Sequence, residues 1–435
     1  MRNNVTTLFP AEPSYCNADV PEFVAVRVNR YYRERVQNTW QGGHIMRGRV
    51  PGVDALHLSS NDYLSVARHP KIQTAMLESI QRDGNGLLMS GIFLHGACPQ
   101  LQLETRLAHF MQAEAGILCQ SGFSANVGLL QAIANEHTPV YADMMAHMSL
   151  WEGIKSAGAK AVTIFHNDLE HLERQILRHG PGVVVIDTVY STTGCIAPLR
   201  QILEICEAQG CVLVADESHS LGTHGPNGEG LVVEQGLAGR VHFRTASLAK
   251  AFAGRAGFIT CSQKFSDYFD GESNHAIFSS TLLPHEIKGL DATLSVIQEE
   301  AWRRAKLNEN ASYLRTELEA LGYNLNDSET QIVSLESGTE QQTIVLRDAL
   351  EARGIFGSVF CAPATPKNRA LIRFSVNAGL TREELERIVN VCHDIREEVN
   401  FADWPSTRRK LRHKSTVSTS VNHISENAAR LQAVG

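Results

Sequence analysis

Cys211-Val-Leu-Val-Ala-Asp-Glu-Ser-His219 and, a short way on, Val241-His-Phe-Arg-Thr-Ala-Ser-Leu-Ala-Lys250 carry the reading of the fold. The first run is apolar at successive rather than alternating positions, the mark of a strand buried on both faces in a parallel sheet. Working outward, similar apolar runs recur at 116–120, 139–142, 161–165, 183–186, 241–243 and 257–261, with segments of helical pattern between them. Residues 116–262 therefore predict an α/β fold with a mostly parallel sheet covered by helices. Ligands of such sheets bind beyond the carboxyl ends of the strands. Asp143, Asp187, Asp216 and Ser247 fall at those ends.

Farther along, 286–321 reads as one long amphipathic helical stretch that carries the chain out of the large domain. A second alternation follows, with strands at 332–335, 358–360 and 371–375 and helices at 340–353 and 381–399. Thr381 followed three residues later by Glu384 has the order of a capping box. The expected division is an N-terminal helix (24–38) and arm within 1–55, a large domain over 56–300, and a small C-terminal α/β domain over 301–404. From 405 to 435 the composition shifts to Ser, Thr, Arg and Lys, and the basic cluster Arg408 to Lys414 sits in what reads as a disordered tail.

A chain of 435 residues is too long for one ordinary core. With 43% hydrophobic and 20% charged residues it has the composition of a globular enzyme, and a net charge of -7 gives no reason to expect nucleic acid as a partner. The nine cysteines are odd in number, scattered and without a C-x-x-C pair, so they read as small buried hydrophobes in a reducing compartment. Neither a signal-peptide stretch nor a run of roughly 18 apolar residues is present. A cytoplasmic protein without stable membrane insertion is the expectation.

Asp216 ends one apolar run and Lys250 follows the next, 34 positions later. This is the layout needed to hold pyridoxal phosphate, whose aldehyde condenses with a lysine amine while a buried carboxylate keeps its pyridine nitrogen protonated. Taken singly, the two residues read as a solvated lysine and a turn former. Gln120-Ser-Gly-Phe-Ser-Ala-Asn126 follows a strand and opens a helix predicted over 125–134, so backbone N–H groups around Ser121, Gly122 and Phe123 suit a phosphate. A tight strand-to-helix turn explains the same glycine. Ser247, Ser280 and Thr281 add hydroxyls as further candidates. His147 reads either as an imidazole stacked on the pyridine ring or as a structural histidine. His219 and Ser191 are candidates for the cofactor's phenolic oxygen or for the substrate. A metal held by Asp216, Glu217 and His219 is not expected, because consecutive strand residues point to opposite faces. The glycine-rich stretch 222–230 lacks the lysine and hydroxyl of a phosphate-binding loop and reads as a loop lining the site.

Taken in order, Leu58-Ser-Ser-Asn-Asp-Tyr-Leu64, Ser121-Gly-Phe-Ser-Ala-Asn126, His147-Met-Ser, Asp187 to Pro198, Asp216-Glu-Ser-His-Ser220, Ser247-Leu-Ala-Lys250, Phe278-Ser-Ser-Thr and Ile372-Arg-Phe-Ser resemble the α-oxoamine synthases. The resemblance implies the pyridoxal phosphate-dependent aminotransferase fold (fold type I), a homodimer, and the joining of an amino acid to an acyl-CoA thioester. It implies Lys250 as the cofactor's lysine and general base, Asp216 as the partner of the ring nitrogen, and His147 as the stacking imidazole. Ser191 and His219 would lie near the phenolic oxygen, with Ser121, Gly122, Phe123, Thr245 and Ser247 around the cofactor. Ser280 or Thr281 would reach the phosphate across the dimer. Arg373 would clamp a substrate carboxylate, with Asn61 and Tyr63 beside the substrate.

Departures narrow the resemblance. The family's Thr-x-Gly-Lys is here Ser247-Leu-Ala-Lys250, its Gly-Ser-Arg-rich loop is the apolar Gly86-Leu-Leu-Met-Ser-Gly-Ile-Phe-Leu94, and Gln100 stands at a histidine position. Ala146 to Gly153, Ser218 to Gly228 and Gly354 to Cys361 are instead similar to the cholera-type quorum-sensing autoinducer synthases. That subgroup implies a fatty acyl-CoA and an aminobutyrate-like or S-adenosylmethionine-derived amine as substrates, with the apolar loop at 87–94 suited to the acyl chain. The alternatives left open are an 8-amino-7-oxononanoate synthase or glycine C-acetyltransferase type of enzyme, and a fold-related aminotransferase or lyase.

Overall fold

Apolar strands covered on both faces organise the molecule, as a computed structural model describing residues 20–37, 46, 48–362 and 364–405 shows. Seven strands form one sheet in the order Ala115–Cys119, Gly257–Cys261, Phe243–Ser247, Val212–Asp216, Val183–Asp187, Pro139–Asp143, Lys160–Ile164. Only Gly257–Cys261 runs antiparallel to its neighbours. The successive apolarity of these strands now has its cause. Val184, Ile186 and Leu213 pack into a core on one face, while Val183, Val185 and Val214 pack into a second core on the other. Each such fully buried side chain contributes about 1.5–3 kcal/mol.

A smaller antiparallel sheet, Ser358–Phe360, Ala370–Ser375 and Ile332–Gly338, places Arg373 opposite both Ser334 and Ser358. A two-residue parallel pair, Leu56–His57 with Ile355–Phe356, is too short to leave a pattern in the sequence. The chain divides into the units Met1–Gly48 and Arg49–Gly435, and among the described residues every strand lies in the second. In the first, the helix expected at 24–38 is Glu22–Tyr31, continued by a π-helical segment Tyr32–Gln37. The cluster Arg408 to Lys414 lies outside the described residues.

Three expectations need correction. The stretch 286–321 is two helices, Pro284–Glu299 and Trp302–Ala320. At the break the Glu300 carboxylate accepts from the distant His69 Nε2 (3.0 Å) and from Arg303 Nε (2.7 Å), and Arg304 Nη1 donates to the Ile297 carbonyl (2.5 Å). The run 241–243 is displaced to the strand Phe243–Ser247, which tolerates polar residues because each is partnered: Arg244 Nε with Thr260 Oγ1 (3.2 Å) and Thr245 Oγ1 with Asn126 Oδ1 (2.6 Å). The glycine-rich stretch 222–230 folds on itself, with Gly222, Gly225, Gly228 and Gly230 at positive φ, and none of its residues lines the cavity described next.

Candidate active site

The carboxyl ends of the parallel strands open into a cavity of ≈ 610 Å³. Ser121, Gly122, Phe123, His147, Asp216, His219, Ser247 and Lys250, drawn from four separate stretches of sequence, all line it. Asp216 stands beside Asp187 and Thr245 in the strand register. Its Oδ2 accepts from Asn126 Nδ2 at 2.7 Å and its Oδ1 from the Ser218 backbone N–H at 2.8 Å. Asn126 in turn donates to Ser149 Oγ (2.8 Å) and accepts from Thr245 Oγ1. One amide thus fixes the carboxylate from beneath, so Thr245 supports the cavity without lining it. Glu217, on the opposite face, is buried against Arg244, with 3.9 Å between Oε2 and Nη1. Among the described residues no three His, Cys, Asp or Glu side chains are placed to hold a metal ion.

His147 caps the helix Met148–Ser156, and its Nδ1 lies 2.8 Å from Ser149 Oγ. Burial lowers its pKa, the nearby Asp216 opposes this, and Lys250 adds to the lowering. Lys250 is likewise lowered, first by burial and then by the Arg373 charge, against the opposing pull of Asp216. A lysine so placed is more often a neutral nucleophile than one in water. His219 is pushed well below the usual imidazole range by burial and by the charges of Lys250, Arg373 and His147, so it is neutral. Asp187 is driven well above the carboxylate range by burial and by Asp216, and its Oδ1 accepts the His147 backbone N–H at 3.1 Å.

Next to the cavity, Tyr63 OH lies 2.7 Å from His219 Nδ1 and 3.2 Å from Asn61 Oδ1. Burial raises the phenol to about 12, so it keeps its proton. Arg373 Nη2 donates to Asn61 Oδ1 (2.9 Å) and Nη1 to the Ser191 carbonyl (2.7 Å), while the guanidinium sits 4.9 Å over the Phe360 ring. Its Nε is buried without a partner, a donor available to an anion. Asn61, Tyr63, Ser191 and Arg373 are therefore one cluster tied to the cavity through His219. Ser280 and Thr281 are elsewhere: Ser280 pairs with Ser90, and the Thr281 N–H donates to the Met89 carbonyl at 2.8 Å. The single chain does not bring them to Lys250.

The family model "Aminotransferase class I and II" matches residues 53–391, a span that contains every described strand but none of the described N-terminal helix. The chain belongs to that family. Within it the chain falls among the α-oxoamine synthases. It is 45% identical to the CAI-1 autoinducer synthase of Vibrio campbellii over 88% of this chain and 98% of that protein. With 8-amino-7-oxononanoate synthase 1 of Bacillus velezensis it shares 32% identity over 87% of this chain and 97% of the relative. In fold it is similar to a lysine-to-alanine variant of the serine palmitoyltransferase of S. paucimobilis, solved with a bound PLP–myriocin aldimine, at a TM-score of 0.78 and 22% identity over 87% of this chain and 98% of that one. The fold is fold type I, and the enzyme is pyridoxal phosphate-dependent.

The residues present fit that cofactor. A Cβ added at Gly122 would fall 2.5 Å from Ser247 Cβ, so the turn that opens the helix Gly122–Ile133 needs a glycine to bring its N–H groups to the cavity. Asp216, held by two donors, is a carboxylate shaped to face a protonated ring nitrogen. Reading the sequence missed Asn126, Ser149 and Ser218 as the residues that hold Asp216 and His147. The spacing of Asn126 after the Gly122 turn was the one signal that could have found the first.

Proposed function

We propose that the protein is an acyl-CoA-dependent C-acyltransferase that joins a fatty acyl-CoA to an aminobutyrate-like or S-adenosylmethionine-derived amine, giving the aminoketone precursor of a quorum-sensing signal. The reading is carried by the convergence of Lys250, Asp216 and His147 on one cavity in a chain 45% identical to an autoinducer synthase. Pyridoxal phosphate, when bound, supplies an electron sink for the bonds at the substrate's α-carbon. Lys250 would be the cofactor's covalent anchor and, when its amine is free, the base for the substrate's α-proton, a task helped by its lowered pKa. Asp216, held by Asn126, would hold the ring nitrogen's proton, and His147, its ring fixed by Ser149, would bound the cofactor's face. Ser121, Gly122, Phe123 and Ser247 would surround the phosphate end, and Ser280 or Thr281 of a second copy in a homodimer would complete it.

Arg373 receives the substrate carboxylate and, with Asn61 and Tyr63, fixes which bond the ring can activate. His219, neutral and paired with Tyr63, donates toward the oxyanion that forms at the thioester carbonyl. Ser191 positions Arg373 through its carbonyl rather than through its hydroxyl. The exposed Leu87, Leu88 and Phe93 offer apolar surface for an acyl chain. We place the reaction in the cytoplasm. Among the described residues no helix is long and apolar enough to cross a membrane.

The test is product mass spectrometry after incubating the purified enzyme with decanoyl-CoA and a panel of amines, with free thiol measured alongside. Aminobutyrate or S-adenosylmethionine should give an acylated product with thiol release. Acceptance of glycine, alanine or serine alone would overturn the signal-synthase reading and leave an ordinary family member.

A further inference from the structure

Outside the Lys250 cavity, one cluster has the parts of a second reactive centre. Cys195 Sγ lies 3.1 Å from His166 Nε2, and His166 Nδ1 lies 3.0 Å from Asp143 Oδ1. Thr193 Oγ1 is 3.0 Å from the same sulfur. The three ionisable groups stand in series and do not converge as metal ligands would. A thiol hydrogen-bonded to an imidazole whose other nitrogen is held by a carboxylate is the arrangement that activates sulfur as a nucleophile.

The surrounding structure fixes this line of atoms. Asp143 also accepts the backbone N–H groups of Met145 (2.8 Å) and Asn167 (2.9 Å), so its carboxylate cannot swing away. The His166 ring packs edge-on against Tyr190, centroids 4.4 Å apart. Gly194, at a φ of +74°, sets the turn before Cys195, and a Cβ there would fall 2.1 Å from the Ile332 carbonyl oxygen. Cys195, His166 and Thr193 line a cavity of ≈ 1460 Å³, and His166 and Thr193 also line one of ≈ 910 Å³ walled in part by Met144, Met145, Pro366 and Leu371. Neither cavity shares a lining residue with that of Lys250. The buried cysteine lines only the first of these cavities, while His166 and Thr193 line both and so join the sulfur's cavity to the one with the apolar wall.

We propose that Cys195, His166 and Asp143 form a second nucleophilic site, at which the sulfur takes up an acyl group from a fatty acyl thioester. The choice of thioester rests on the acyl-CoA reading above. The balance is simple, because exchange between thioesters needs no oxidant. A bond forms between Cys195 Sγ and the carbonyl carbon as the bond from that carbon to the donor sulfur breaks. The departing thiol leaves with the proton that Cys195 and His166 shared. Burial disfavours a charged His166, but its hydrogen bonds to Asp143 and Cys195 outweigh this and raise it to about 9, which favours the protonated ring.

The test incubates the holoenzyme, and separately its Lys250→Ala variant, with decanoyl-CoA in the absence of amine, followed by intact-mass measurement and peptide mapping. One decanoyl group should appear on the Cys195 peptide of both proteins, be removed by neutral hydroxylamine, be absent from Cys195→Ser, and form at least ~10-fold more slowly in His166→Gln. Peptide mapping of the unmutated protein carries the result should either variant fail to fold. An unmodified Cys195, or a decanoyl group on another residue, overturns the proposal, even if iodoacetamide alkylates Cys195 readily. Product formation with amine is measured in parallel. Product without acylated Cys195 removes this site alone, acylated Cys195 without product removes only the function proposed above, and the absence of both removes the two together.

Discussion

Asp216 and Asp143 end two strands of one parallel sheet, yet their surroundings give them different chemistry. Asp216 is held by an amide and a backbone N–H and faces a cavity with a lysine. Asp143 is held by two backbone N–H groups and an imidazole, and leads to a thiol instead. Between them Asp187, pushed up by burial and by the Asp216 charge, accepts the His147 N–H. The sheet supplies position; the residue that arrives beside each strand end decides the protonation state.

The comparison is broken most severely at Lys250. Lys250→Ala should lower product formation by roughly 10²–10⁴-fold, as loss of a general base does, while cofactor-dependent absorbance in the imine region disappears. Next comes Asp216→Asn, which keeps the shape and removes the charge; the rate measured by thiol release should fall on the order of 10²-fold. At the other carboxylate the effect is on stability. His166 is raised in the folded state, so its contribution is present in full below about pH 6.5 and is lost as pH rises through about 9. Urea denaturation at pH 6 and pH 9.5 should show His166→Gln losing on the order of 2–3 kcal/mol at the lower pH and little at the higher. The smallest effect belongs to Asp187→Asn. Because burial disfavours a charge there and an amide still accepts the His147 N–H, the rate should stay within the same order of magnitude; a loss as large as that of Asp216→Asn would show that the two carboxylates are not different in kind.

Legibility followed the range of the forces involved. The strand Val183–Asp187 was plain in the sequence because all four of its aliphatic side chains are buried, and the eight predicted residues around the cavity were plain because strand ends are where ligands gather. Phe243–Ser247 was misplaced because its polar residues are satisfied by Thr260 and Asn126, partners far away in the chain. At the break in the expected long helix Glu300 meets His69, 231 positions distant, and no local pattern announces such a contact. Cys195 read as one more buried hydrophobe for the same reason: its meaning comes from His166, 29 positions away on a different turn. Arg373 and Ser191 were named as candidates, but only the fold shows one bound to the backbone of the other.

The account rests on a covalent bond between Lys250 and the cofactor's aldehyde. Borohydride reduction of the holoenzyme, proteolysis and mass spectrometry locate that bond directly. The reduced cofactor should be found on the peptide containing Lys250 and on no other. Its recovery on a different lysine, or on none, would contradict the account.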